Sequence, residues 1–141
     1  MQPEYHNEIV IAGGLEEIAG EMKVYPEDRE VQYCGCEALG NLVKSSKSSD
    51  QADHIVNKLE GAHLIGAVMK AFPSFEELQE KACYALFYFS VYRGVQASIK
   101  RAAGLSALGV ALENFPNNNA IQEHGCATMK RLLEAGRAPL E

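Results

Sequence analysis

Residues 61–89 decide the fold, and they read GAHLIGAVMKAFPSFEELQEKACYALFYF. A glycine opens the stretch, apolar residues follow at helical spacing, and Phe72-Pro73 ends the first segment. Proline ends a helix because it has no backbone N–H to donate and disfavours helix in the residue before it. After a polar turn at Ser74, a second apolar stripe recurs every three or four residues, at Leu78, Ala82, Ala85 and Phe89. The stretch therefore predicts a helix, a turn and a longer helix.

This pattern occurs three times along the chain. Aromatic-proline pairs stand at Tyr25-Pro26, Phe72-Pro73 and Phe115-Pro116, separated by 47 and 43 residues. A glycine precedes each proline by twelve positions, a glutamine follows after six, and a cysteine follows after ten. These residues are Gly14, Gly61 and Gly104; Gln32, Gln79 and Gln122; and Cys36, Cys83 and Cys126. Together with the helical spacing within each unit, a period above 40 residues indicates a helical repeat protein.

A shorter helical pattern precedes each glycine, at roughly Gln2–Ala12, Gln51–Leu59 and Val95–Ala102. Each unit is therefore predicted as a short, a middle and a long helix. The three units cover approximately residues 2–44, 51–93 and 95–134, with a Ser-rich surface loop at 45–50 and a frayed tail at 135–141. No strand-like alternation occurs, so residues 1–141 are predicted to form one all-α domain.

Composition narrows the classes of function. The chain has 141 residues, 47% of them apolar, which is enough for one core. Its net charge of −6 argues against a nucleic-acid binder or a ligand of anionic membranes, and favours a basic or mixed-charge protein partner. The first residues lack the pattern of a signal peptide, and no apolar run approaches the roughly 20 residues that span a bilayer. An intracellular, cytoplasmic location is the simplest expectation for its four cysteines.

The cysteines and histidines do not predict a reactive or metal site. Cys34 and Cys36 would point about 200° apart on a helix, and so would His124 and Cys126. The repeated cysteines Cys36, Cys83 and Cys126 are instead expected to behave as small core residues, with Cys34 alone exposed. No phosphate-loop or hydrolase motif is present. We therefore expect no enzyme activity, cofactor or metal.

The long-helix sequences resemble those of armadillo repeats. The resemblance rests on Pro26 with residues 31–42, on residues 78–86, and on residues 99–105, and extends over about residues 5–134. It implies a right-handed superhelix of stacked three-helix units. It also implies that the third helix of each unit lines a concave groove for extended peptides or partner domains.

The resemblance also indicates which residues would line the groove, position by position. The family's peptide-clamping asparagine matches Asn41, while Tyr88 and Arg131 stand at the equivalent positions, and the chain has no tryptophan. A nuclear-localisation-signal receptor is therefore not expected. The implied groove carries tyrosines and acids on the third helices, namely Tyr33, Glu37, Asn41, Glu80, Tyr84, Tyr88, Glu123 and Arg131. The leading hypothesis is a protein-interaction scaffold. The alternative is a structural element that self-associates through exposed repeat ends or is excised from a longer array.

Overall fold

The computed structural model describes residues 14–102 and 104–135, which are all-helical and contain no strand. The predicted all-α class is confirmed for these residues. The helix at Gln2–Ala12 and most of the tail at 135–141 lie outside them. The α-helices are α1 (Gly14–Val24), α2 (Arg29–Lys44), α3 (Ser49–Asp53), α4 (Gly61–Ala71), α5 (Glu76–Phe89), α6 (Gln96–Ala102), α7 (Gly104–Asn114) and α8 (Asn119–Ala135). A π-helical turn (His54–Lys58) continues α3, and a 3₁₀ turn (Arg93–Val95) precedes α6.

The helix boundaries follow the repeated glycines and prolines. The helices α1, α4 and α7 each begin at the repeated glycine and end directly before the aromatic-proline pair. The long helices then begin after a polar turn. Asp28 caps α2 by accepting the N–H groups of Glu30 at 3.0 Å and Val31 at 3.1 Å. The middle and long helices of each unit were thus predicted at their correct positions.

The repeated glutamine repairs the helix end that the proline leaves open. Proline has no N–H, so it cannot bond to the carbonyl four residues before it. In the first unit, Gln32 Nε2 donates to that carbonyl, Met22 O, at 3.1 Å and to Tyr25 O at 2.8 Å. The same two bonds recur from Gln79 to Met69 O and Phe72 O, and from Gln122 to Leu112 O and Phe115 O. The shared register of proline and glutamine therefore has a direct physical cause.

The core lies between the middle helices and the long helices. The long helix α5 packs against α2 on one side and α8 on the other, while α4 packs against α5 and against α1 and α7. The largest fully buried side chains between these helices include Leu39, Ile65, Leu86, Phe89 and Leu132. Because α5 packs against both α2 and α8, the three long helices lie side by side.

The burial predicted for the repeated cysteines was wrong at Cys126. Cys36 and Cys83 are buried, and burial raises the pKa of both thiols to about 12, whereas Cys126 is exposed. The reason is the position of each helix. The cysteine-bearing face of α2 is covered by α5, and that face of α5 is covered by α8. No described helix covers the cysteine-bearing face of α8. Cys34 is exposed, as predicted.

The Ser-rich segment 45–50 is shorter as a loop than predicted. Ser45 and Ser46 hydroxyls donate to carbonyls in the last turn of α2, and Ser48 caps α3, which already begins at Ser49. Serines therefore end one helix and begin the next here. None of the described helices is long and apolar enough to cross a membrane.

Candidate functional site

The eight predicted groove residues lie on the three long helices, and we call the face that they share the long-helix surface. Seven of them are half-buried and Glu123 is exposed. They are Tyr33, Glu37 and Asn41 on α2; Glu80, Tyr84 and Tyr88 on α5; and Glu123 and Arg131 on α8. Side-chain contacts connect most of these residues to one another or to shared neighbours. Among the described residues, no hydrogen bond or ion pair links Glu123 to the other seven.

Between α2 and α5, two side-chain contacts hold the surface together. Lys81 Nζ lies 2.9 Å from Glu37 Oε2, and this hydrogen bond is the main reason that the pKa of Lys81 is raised. The same ammonium group lies 5.5 Å from the centre of the Tyr33 ring and 5.7 Å from that of Tyr84. The Tyr84 hydroxyl donates to Asn41 Oδ1. Asn41 therefore already uses its side-chain carbonyl oxygen within the chain.

Close approach of α2 and α5 depends on Gly40. A Cβ atom at this position would lie 2.9 Å from the Tyr84 ring and 3.1 Å from the Ala85 Cα atom. A glycine is therefore required for the Tyr84 ring to approach α2 this closely while its hydroxyl reaches Asn41.

Four rings form an aromatic cluster where α5 meets α8: Tyr84, Phe87, Tyr88 and His124. Ring centres are 5.1 Å apart for Tyr84 and Tyr88, 4.9 Å for Phe87 and Tyr88, and 4.7 Å for Phe87 and His124. Desolvation lowers the pKa of His124, and its Nδ1 atom is buried without a hydrogen-bond partner in the described structure. Burial therefore favours the uncharged imidazole over the protonated one.

Cations lie against the edges of this cluster. The Lys44 ammonium group is 5.4 Å from the centre of the Tyr88 ring, and the Arg131 guanidinium carbon is 4.4 Å from that of Phe87. Arg131 also donates from Nη1 to Phe87 O at 2.6 Å and to Ser90 Oγ at 2.9 Å. These bonds fix Arg131 at the carboxyl end of α5, where the free carbonyls favour a cation.

Sequence reasoning missed Lys44, Lys81, Phe87 and His124. A signal for two of them was present, because Lys81 and Phe87 stand three residues before and after Tyr84, a spacing that places residues on one helix face. His124 occupies the same repeat position as Lys81. The contact of Lys44 with Tyr88 joins two helices far apart in the chain, so no local pattern indicated it.

No group of three metal-ligating side chains was found within 14–102 and 104–135. The groups on the surface are suited to stacking, cation–π contact and hydrogen bonding. No protein-family model, curated protein or solved structure matches this chain. What the chain does is therefore argued from the geometry of its own surfaces.

Proposed function

We propose that the chain is an armadillo-type helical-repeat scaffold that binds a partner protein or peptide across the long-helix surface. Its right-handed superhelix would arise from stacking of the three units. The repeated order of middle and long helices supports this architecture, as does the glutamine bond to the preceding helix in each unit.

The observation that carries the proposal is the half-buried aromatic cluster at the centre of the surface. Tyr84, Phe87 and Tyr88 are only partly covered, although α5 has a long helix on each side. Tyrosine is enriched among the residues that dominate binding energy in protein interfaces. Tyr84 is already held by Asn41 and Phe87 by Arg131, so binding would order few further side chains.

The charges on the surface favour a mixed-charge partner. Three cations, Lys44, Lys81 and Arg131, lie against its rings. Three carboxylates accompany them, and two of these have partners: Glu37 pairs with Lys81, and Glu80 accepts from Asn118 Nδ2 at 3.0 Å. A strongly basic ligand would find few free carboxylates here, so polar and aromatic contacts would dominate recognition.

Alanine substitution of Tyr88 tests the proposal. Tyr88 is a better target than Tyr84, whose ring packs on Gly40 and whose hydroxyl bonds to Asn41. Tyr25→Ala is the matched control, because Tyr25 is 50% exposed in the turn between α1 and α2. Proteins captured from lysate by the wild type and by Tyr25→Ala, but lost by Tyr88→Ala, define the partner.

The affinity for that partner should then be measured by calorimetry. Tyr88→Ala should weaken it by at least about tenfold, the size of a hot-spot residue, and Tyr25→Ala by less than about twofold. Equal affinities for all three chains, with unchanged helicity, would place the binding site elsewhere.

The exposed outer face of α8 favours self-association as a second candidate function. Cys126 is exposed there, and Leu133 is 49% exposed beside the half-buried Met129. The equivalent face of α5 is covered by another long helix. Light scattering after size exclusion should show a concentration-dependent dimer that Leu133→Lys abolishes, whereas a monomer at high concentration would exclude this candidate.

We also propose an intracellular, reducing location. All four cysteines are free thiols. The test is to treat intact cells that express the protein with a membrane-permeable thiol reagent. In a reducing compartment the two exposed thiols, Cys34 and Cys126, should react, whereas in an oxidising compartment they would be oxidised and would not react.

A further inference from the structure

We propose that a basic cleft beside the long-helix surface binds an acidic peptide segment. The cleft has a volume of about 990 Å³ and lies between α6 and the carboxyl end of α8, next to the end of α5. We call it the basic cleft because four cations line it: Arg93, Lys100, Arg101 and Arg131.

The charge of the cleft is opposite to that of the whole chain. The protein has 13 basic and 19 acidic residues, yet among the described residues four basic side chains and one carboxylate, Glu134, line this cleft. The ion pairs among the described residues use Lys23, His54 and Lys81, so none of them neutralises a cation of the cleft. A concave site lined by charges of one sign concentrates ligands of the other sign.

The four cations differ in how firmly they are held. Arg131 is half-buried, and Nη1 is held by Phe87 O and Ser90 Oγ, while Nη2 has no hydrogen-bond partner among the described residues. Arg93, Lys100 and Arg101 are exposed. A fixed guanidinium group with free N–H groups suits a carboxylate, which it can bind through two parallel hydrogen bonds. The exposed cations would contact further acids of the same ligand.

The size and lining of the cleft favour a peptide over a single small anion. Its volume lies at the upper end of the range for small-ligand sites, about 300–1,000 Å³. Val91, Ala97 and Ala135 also line the cleft, so the lining is apolar as well as basic. A peptide that alternates acidic and apolar side chains complements both. Nucleic acid would need a longer row of cations to release enough counterions.

This proposal goes beyond the proposed function and does not depend on it. Three of the four cations lie between residues 93 and 101, outside the long-helix surface. Only Arg131 belongs to both sites, so variants at Lys100 and Arg101 test the cleft while leaving Tyr84 and Tyr88 unchanged.

The test is fluorescence anisotropy of the full chain with a labelled ten-residue peptide that alternates glutamate with leucine or glycine. The wild type should bind it in about 50 mM salt, and binding should weaken steeply at about 500 mM. The same peptide with glutamine in place of glutamate should not bind. Lys100→Ser with Arg101→Ser should weaken binding at least about tenfold, and Arg93→Ser alone by about threefold.

Matched controls separate the cleft from general attraction. Lys47→Ser with Lys58→Ser removes the same charge from two exposed lysines outside the cleft and should change the affinity less than about twofold. An equal loss in this control would overturn the proposal, as would no binding by the wild type. Displacement of the peptide by inorganic phosphate, beyond the effect of chloride at the same ionic strength, would reassign the cleft as a small-anion site. Tyr88→Ala should bind the peptide like the wild type, so failure of the cleft and failure of the long-helix surface remain distinguishable.

Discussion

The long helices α5 and α8 have equivalent sequences but different surroundings. The helix α5 lies between α2 and α8, whereas among the described residues α8 has a long helix on one side only. Cys83 is fully buried in α5 and its equivalent Cys126 is exposed in α8. Gln79 is buried and Gln122 half-buried. Whether a second long helix packs against a helix, rather than the helix's own residues, therefore sets how deeply an equivalent side chain is buried.

The largest effect is expected from filling the contact between α2 and α5. Gly40→Ala should lower the free energy of unfolding by about 1–3 kcal/mol, because the new Cβ would lie 3.1 Å from backbone at Ala85 and 2.9 Å from the Tyr84 ring. In α8, Gly125→Ala should cost less than about 1 kcal/mol, since the group it meets at 3.0 Å is the flexible end of Leu112.

Urea denaturation measures both changes. The control is Gly109→Ala within α7, where no atom of the described residues outside the helix's own nearby backbone lies within 4 Å of the new Cβ. This change should stabilise the protein by about 0.5–1 kcal/mol, because alanine favours the helix. Equal stabilities for the Gly40 and Gly109 variants would mean that α2 and α5 do not pack as closely as described.

The glutamine bonds should show the same difference between α5 and α8. Gln79→Ala leaves Met69 O without its side-chain donor in a buried site and should cost about 2 kcal/mol. Gln122→Ala should cost about 1 kcal/mol, because water can reach the carbonyls that this half-buried side chain serves. Thermal or urea unfolding of the two variants would compare them, and a larger loss for Gln122 would contradict the difference in burial.

The difference in burial between Cys83 and Cys126 can be tested by the stability of serine variants and by the reactivity of the thiols. Cys83→Ser should cost about 1–2 kcal/mol because it buries a hydroxyl, whereas Cys126→Ser should stay within about 0.5 kcal/mol of the wild type. In the native protein a thiol reagent should modify Cys34 and Cys126 quickly. Burial should protect Cys36 and Cys83, whose pKa values it raises to about 12, until denaturant is added. Rapid reaction of all four thiols would show that α8 does not cover α5 stably.

The smallest effect concerns His124, which α8 contributes to the aromatic cluster of α5. Its folded-state pKa is lowered below 6.5, so the unfolded chain takes up this proton more readily. Its contribution to stability is therefore present above pH 6.5 and is lost as the pH falls toward the folded-state pKa. By NMR the imidazole should titrate below pH 6.5, and Tyr88→Ala should raise the midpoint by exposing the ring. A midpoint at or above 6.5 in the wild type would contradict the burial.

How far the fold could be predicted depended on whether its causes were local. Gly61 and Pro73 mark the ends of α4 by backbone chemistry that acts over a few residues, so the middle and long helices were predicted correctly. Cys126 was predicted wrongly, because its local sequence matches that of Cys83 and only the neighbouring helix differs. The burial of a helix face depends on which helices pack against it in the folded chain.

The candidate site was predictable only in part for the same reason. Tyr84 and Tyr88 were proposed from the resemblance to armadillo repeats, and their spacing places both on one face of α5. The ion pair of Lys81 with Glu37 joins residues 44 apart in the chain, and the bond of Arg131 to Phe87 O also spans 44 residues. Such contacts depend on which helices become neighbours. The basic cleft was not predicted at all, since its cations come from separate segments.

The glutamine bonds described for each unit also bear on the order of folding. Each bond joins residues only 7 or 10 apart in the chain. The loop-closure entropy for such short separations is small, so each pair of middle and long helices can close its turn before distant contacts form. No one pair of middle and long helices is therefore favoured over the other two as the folding nucleus. We therefore expect folding to begin at any of the three turns, with docking of the long helices, which joins residues more than 40 apart, as the later and slower step.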